Sequence, residues 1–378
     1  MPSDERGARP SWHADPARRA SLGWSDFFDK QLARLERSKR ESMLPVRVAA
    51  EHRGRYEIWG HPKADRARLA GRLRKDSTRE QLPAVGDWAL APRRVHGLAT
   101  LAHVFERHSA FLRKAAGQVT EAQVVAANVD TVLLVCSLNR DYSARRIERY
   151  LTQLYESGAR PVVVLSKADV AASSAIDVDA TCAELAAQLD IEVVTTRTDD
   201  PASIEALRRF AGDGQTVALV GSSGVGKSTI INALVGEQLL ATSEVREDDD
   251  RGRHTTRHRQ LVALPERAGL LVDTPGMREL SLWDGAGLGE AFDDVLAVAA
   301  RCHFRDCSHE GEPGCAVPDA LASGELDAER YEHFCKLTEE AATQAARREQ
   351  RGWSEGQRPG EAGARGGGAG WRELEKKD

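Results

Sequence analysis

Nine consecutive residues, Gly221-Ser222-Ser223-Gly224-Val225-Gly226-Lys227-Ser228-Thr229, match the spacing G-x-x-x-x-G-K-[ST]. Glycines at those positions let backbone N–H groups turn inward around phosphate oxygens, and a helix starting there adds a favourable field. Lys227 then reaches the β- and γ-phosphates, and Ser228 ligates Mg²⁺. The pattern carries this meaning only between a strand and a helix. Thr216-Val217-Ala218-Leu219-Val220 is an apolar run that reads as a buried parallel strand, and Ile230, Ile231, Leu234 and Val235 recur at helical spacing beyond the loop. A plain Gly/Ser turn before a helix would explain the glycines alone. It does not explain the flanks and the Lys-Ser pair together.

Two further motifs belong with the loop. Leu270-Leu271-Val272 runs into Asp273-Thr274-Pro275-Gly276, a D-x-x-G segment in which the Asp would hold Mg²⁺ through water and the Gly N–H would sense a γ-phosphate. The polar, unperiodic stretch from Thr242 to His258 reads as a mobile switch loop, with Thr256 (or Thr255) placed to close on Mg²⁺ and γ-phosphate. Upstream, Ser166-Lys167-Ala168-Asp169 ends the apolar run Pro161-Val162-Val163-Val164-Leu165 and is similar to the guanine-specificity pattern N-K-x-D. Asp169 would accept hydrogen bonds from the guanine ring N–H and exocyclic amine, which adenine does not offer, and Lys167 would lie along the base. Ser166 stands where Asn is usual, which shortens one polar arm. The competing reading is a charged turn at a strand end. Thr195-Thr196 falls where a second base-contacting loop would, on a match too weak to use.

The order of these motifs is informative. The base motif ordinarily follows the phosphate loop. Here it precedes both the loop and Asp273, so the α/β domain reads as a circularly permuted P-loop GTPase domain that binds GTP/GDP with Mg²⁺ at Ser228 and Asp273. Permutation moves the chain ends to just after the switch region, where a fused domain would feel switch movement directly. Met277 occupies the position at which Ras-type enzymes place a water-orienting Gln, and an apolar side chain cannot orient water. Unaided turnover is therefore expected to be slow. His254, in the switch loop, is the candidate helper, against the alternative of an ordinary surface histidine.

Cys302-x4-Cys307-x-His309-x5-Cys315 offers three thiolates and one imidazole, the donor set of a closed structural Zn²⁺ site with one ion per chain. Three of the chain's six cysteines lie in this short stretch, which suits a metal better than a disulfide framework. Metal would stabilise a small helical segment with little core of its own. The alternative is a chance cluster of buried cysteines.

These motifs need elements to hold them. Residues 1–20 are rich in Arg, Ala, Pro and Ser and are expected to be disordered. From Trp24 to about Met43 the pattern is helical, with Phe27, Phe28, Leu32 and Leu35 on one face. That face either packs on the next domain or belongs to an RNA-contacting helix. Residues 44–115 change period. Val46–Val48, Arg55–Trp59, Ala70–Leu73, Trp88–Leu90 and Gly97–Leu101 read as short strands, with Pro83–Asp87 turning into one of them. Five such strands with basic side chains predict a small barrel of the OB type, although an SH3-like barrel would read the same way. From Val129 onward, apolar strands alternate with helices that include Ile147, Tyr150, Leu151 and Leu154, which predicts a parallel sheet covered on both faces. The rest, to about Ala346, reads as helical. The tail from Arg351, with Gly366-Gly367-Gly368, reads as disordered.

The resulting division is an N-terminal arm over 1–43, a barrel over 44–115, a permuted GTPase domain over 116–285, a helical zinc-binding domain over 286–350 and a tail over 351–378. A length of 378 residues requires several domains. The formal net charge of -5 argues against general polyanion binding, but Lys30 to Lys75 carries 14 Lys/Arg against 5 Asp/Glu. That local excess points the N-terminal part toward nucleic acid, unless it is a solvated charged face. No stretch reads as membrane-spanning and no secretion signal is evident, so a cytoplasmic monomer without membrane contact is expected.

Taken together, the barrel, the permuted motifs and the C-x4-C-x-H-x5-C cluster resemble the bacterial ribosome small subunit-dependent GTPase A family. The resemblance runs from roughly residue 44 to residue 340 and includes Pro83 to Trp88, Gln123 to Asp130, Gly221 to Asn232, Gly252 to Thr256, Asp273 to Gly276 and Glu312 to Val317. It implies a GTPase that binds the small (30S) ribosomal subunit and its rRNA late in maturation, is stimulated by it, and leaves after hydrolysis. It also implies a catalytic role for His254, in the G-x-H-T-T segment. Ser166, the helical arm and the Gly-rich tail depart from the family pattern. The rival readings are a permuted GTPase serving the large subunit and a non-enzymatic RNA-binding switch controlled by nucleotide.

Overall fold

The computed structural model describes residues 18–52, 54–114, 122–139, 142–171, 176–236, 260–265, 269–273, 287–309 and 311–356. At its centre five parallel strands lie in the spatial order Val193–Thr195, Arg160–Ser166, Thr131–Ser137, Thr216–Val220 and Leu270–Asp273. Their apolar runs are continuous because both faces are covered. Val132 and Leu134 point to the face packed by Ile147, Leu151 and Leu185, and Leu133 and Val135 to the face packed by Ile204, Ile230 and Leu234. The strand that ends at Ser166 precedes the phosphate-loop strand in the chain, so the motif order read from the sequence is also the order of the strands.

A sixth strand, Gln260–Ala263, was not foreseen. It runs antiparallel to Leu270–Asp273, with Gln260 opposite Asp273. On its other side Gln260 pairs with Ala50 of the strand Met43–His52. A hairpin formed by Ala110–Lys114 and Ala122–Ala127 was also missed.

Met43–His52 pairs with Arg55–Trp59, which pairs with Arg66–Leu69, which pairs in parallel with Ala99–Leu101. Beyond Ala102 the chain continues as His103–Val104, which pairs with Trp88–Pro92, and that strand returns to Met43–His52. The segment Ala70–Leu73, expected as a strand, is instead the start of a helix, Gly71–Asp76. The strand lies just before it at Arg66–Leu69, where Ala67 fills the buried position, and Arg72 and Asp76 face each other one helical turn apart at 3.5 Å.

The N-terminal arm forms two helices, Asp26–Ala33 and Arg37–Ser42. Phe28 is fully buried against the rings of Trp24, Trp88 and Phe105, so of the two readings the packed face is the one observed. At the other end Leu288–Ala291, Asp293–Ala299, Val317–Ser323 and Ala328–Gly356 enclose a small core of Phe292, Val295, Val298, Val317 and Leu337. The last helix runs to Gly356, past Arg351, where the tail was expected to begin. Among the described residues, no helix is long and apolar enough to cross a membrane.

Candidate functional site

Parallel pairing places the carboxyl ends of the central strands on one edge of the sheet, where open α/β sheets bind ligands. The phosphate loop leaves that edge at Gly221. Its φ is 142°, and a Cβ there would sit 2.1 Å from Val135 O, so only glycine lets the loop pass over the neighbouring strand. Gly226 is left-handed at φ 96° and starts the helix Lys227–Val235. Lys227 Nζ donates to Gly221 O at 2.7 Å and to Ser222 O, so the ammonium is already folded back over the loop. A cavity of about 210 Å³ opens beside the loop, with Ser222, Ser223, Gly224, Lys167, Tyr142 and Arg146 in its wall.

The base motif leaves the same edge two strands away. Ser166 is buried, and its hydroxyl donates to Val225 O of the phosphate loop at 2.6 Å. Lys167 takes a left-handed φ of 59°, which turns the chain out of the strand. Asp169 Oδ1 accepts from Thr198 N at 3.2 Å, and Thr196 O accepts from Ala168 N at 3.2 Å. The Thr195-Thr196 loop therefore buttresses the base motif. Thr198 contributes through its backbone N–H, a role no side-chain pattern could have disclosed.

Asp273 ends its strand at the same edge and is buried. Its Oδ2 has no hydrogen-bond partner among the described residues, and burial pushes its pKa from 3.8 up to about 6. An orphaned, desolvated carboxylate oxygen fits a cation-binding role, because a cation would restore what burial takes away. Its companions from the sequence, His254, Thr256 and Gly276, lie outside the described residues, as do Thr255 and Met277.

Cys302, Cys307, His309 and Cys315 do converge, with their ligand atoms within 4.8 Å of one another. Cys302 Sγ lies 3.9 Å from Cys315 Sγ, and His309 Nδ1 lies 3.5 Å from both sulfurs. Tetrahedral Zn²⁺ with ordinary bond lengths separates S from S by about 3.8 Å and S from N by about 3.6 Å, so the cluster fits that ion. Ala316 N donates to Cys302 Sγ at 3.4 Å, and this bond is the main cause of a lowered Cys302 pKa. His303 N donates to Gly314 O at 3.0 Å, which ties the two halves of the cluster together.

The cluster segment is held to the phosphate-binding domain through the helix Ala144–Glu156. Glu148 is paired with Arg330 at 2.8 Å and with His333 at 2.5 Å, and Arg330 also grips Asp294 at 2.7 Å. Arg149 adds a two-pronged pair with Glu340, at 2.8 and 2.7 Å.

Comparison with known proteins agrees with this arrangement. A family model described as RsgA GTPase matches residues 104–283. An ABC transporter model matches residues 210–359, a span that takes in the phosphate loop but not the base motif. The "Small ribosomal subunit biogenesis GTPase RsgA" of Xanthomonas axonopodis pv. citri is 45% identical over 328 residues, covering 84% of this chain and 87% of that protein. The protein of the same name from Opitutus terrae is 43% identical over 343 residues, covering 87% of this chain and 91% of that one. Among solved structures, "YloQ, a circularly permuted GTPase" superposes with a TM-score of 0.59 at 24% identity, covering 82% of this chain and 98% of that one. YjeQ from Thermotoga maritima gives 0.59 at 25% identity, covering 79% and 99%.

Proposed function

The chain belongs to the RsgA GTPase family, and from that premise we propose that it hydrolyses GTP and couples the hydrolysis to late maturation of the small (30S) ribosomal subunit. One observation carries the reading: base motif, phosphate loop and Asp273 share one sheet edge although the base motif comes first in the chain. Asp169 and Lys167 select guanine, and the backbone of Gly221–Gly226 with Lys227 holds the phosphates. Ser228 and Asp273 would hold Mg²⁺, which would supply charge neutralisation at the phosphates. Thr256 closes over the γ-phosphate, the Gly276 N–H senses it, and His254 orients the attacking water. These three roles rest on sequence alone.

The ring of strand pairings between Met43 and Val104, including the parallel pair of Arg66–Leu69 with Ala99–Leu101, supports an OB-type barrel over residues 44–115. Arg55, Arg66, Arg68 and Arg72 are exposed on it and suit rRNA phosphates. The nucleotide-binding unit spans 116–285 and the helical unit 286–350, the latter holding one Zn²⁺ at Cys302, Cys307, His309 and Cys315. The protein acts as a cytoplasmic monomer, and GTP favours the subunit-bound state.

Sedimentation with purified subunits tests the partner. The chain should pellet with small subunits in a non-hydrolysable GTP analogue and be released in GDP. Pelleting with large subunits instead would redirect the reading to the other particle.

A further inference from the structure

The base motif and the phosphate loop are joined by one side chain. Ser166 is the last residue of its strand and 3% exposed. Its Oγ lies 2.6 Å from Val225 O and 3.3 Å from Cys136 O. A hydroxyl has one proton to give, and the shorter contact takes it. The peptide from Val225 to Gly226 is planar and trans, so its N–H points opposite to its carbonyl. Holding Val225 O against Ser166 therefore aims the Gly226 N–H away from the strand end. Loop N–H groups of this kind cradle phosphate. Gly224 and Gly226, at φ 78° and 96°, supply permissiveness and no stiffness, so the orientation has to be imposed from outside the loop.

We propose that Ser166 is a positioning residue that sets the phosphate loop through Val225 O and takes no part in recognising the base. The short arm is matched to its gap. The hydroxyl closes on the carbonyl at 2.6 Å. Guanine selectivity then falls to Asp169, held by the Thr198 N–H at 3.2 Å independently of Ser166. The inference rests on the GTP-binding reading above and deepens it by separating affinity from selectivity.

The test is equilibrium binding of GTP, GDP and ATP, with Mg²⁺, to the full chain and to Ser166→Ala, Ser166→Thr and Asp169→Asn. Ser166→Ala should weaken all three nucleotides by a common factor, on the order of 10-fold, as expected for one lost buried hydrogen bond. The GTP-to-ATP ratio should stay where it is. Ser166→Thr keeps a hydroxyl at the same bond distance and should restore affinity to within about 3-fold of wild type. Asp169→Asn should collapse the ratio. Wild-type affinity in Ser166→Ala, a fall in its GTP-to-ATP ratio, or a folded Ser166→Thr that binds as poorly as the Ala variant would each overturn the proposal. A wild-type chain that does not prefer GTP would instead defeat the proposed function. The Ser166 effect is read as variant against wild type on whichever nucleotide binds, so the two claims fail separately.

Discussion

Arg47, in the strand Met43–His52, donates to the hydroxyl of Thr216, the first residue of the phosphate-loop strand, at 2.9 Å. The same guanidinium donates to Asn128 O at 2.9 Å, to Gly86 O at 3.2 Å and to Leu22 O. It is fully buried, and desolvation lowers its pKa to about 10 despite the nearby Asp130 and Asp87. One side chain thus ties the N-terminal arm, the small strand ring and the central sheet together.

Arg47→Met should therefore destabilise the whole chain, because four buried acceptors lose a donor and, among the described residues, only Gly86 O keeps another, Asn128 Nδ2 at 3.1 Å. The expected loss is about 3–5 kcal/mol, read as a lower midpoint in urea unfolding. Thr216→Val removes only one of the four contacts and should lose about 1 kcal/mol. Equal small effects from both would show that Arg47 is not a common anchor.

Asp273 gives a pH signature. Its folded pKa of about 6 lies above the ordinary 3.8, so the folded chain holds this proton more tightly than the unfolded chain does. The associated stability is fully present below about pH 4 and is lost as pH rises through about 6. In nucleotide-free protein, Asp273→Asn should abolish that fall, which is on the order of 3 kcal/mol. Because a cation needs the carboxylate, Mg²⁺-dependent GTP affinity should drop as pH goes below about 6. Affinity that stays flat from about pH 5 to 7.5 would contradict this.

Removing zinc should loosen one end of the molecule. Cys307→Ser, or treatment with a strong chelator, should lower bound zinc from one ion per chain toward none and raise hydrogen exchange around residues 302–323. Exchange in the strand Thr216–Val220, whose Val217 and Leu219 belong to a separate core, should be unaffected. Wild-type protein purified without chelators but lacking zinc would refute the site.

Glu148 and Arg330 are 3% and 2% exposed as side chains, so their pair is shielded from salt. Glu148→Ala should lose about 1–3 kcal/mol, because buried Arg330 loses one acidic partner and keeps the other, Asp294, and combining it with Arg330→Met should cost less than the two single losses added. Simple additivity of the two variants would show that they do not act as a pair.

What the sequence disclosed follows from the range of the forces involved. The phosphate loop, Asp169, Asp273 and the cysteine cluster are short local patterns legible from residue type and spacing, and the structure puts the first three at one sheet edge and brings the ligand atoms of the cluster within 4.8 Å of one another. Gln260–Ala263 was missed because four residues beside a long polar stretch carry no periodicity, and only pairing with Leu270–Asp273 makes them a strand. Ala70–Leu73 was misread because alternation cannot say which of two adjacent short segments supplies the inward residue. Arg47 counted among the basic residues that suggested nucleic acid, yet it is buried. Side-chain type does not reveal that its acceptors come from residues 22, 86, 128 and 216. Glu148 and Arg330 are 182 positions apart, beyond any local reading.

The central claim is that this is a GTPase set off by the small ribosomal subunit. Phosphate release should be measured with GTP or ATP, alone and with purified small or large subunits. Slow release from GTP alone, a rise of at least about 10-fold with small subunits, and no comparable rise with large subunits or with ATP are predicted. Equal rates with and without small subunits, or a preference for ATP, would contradict the account.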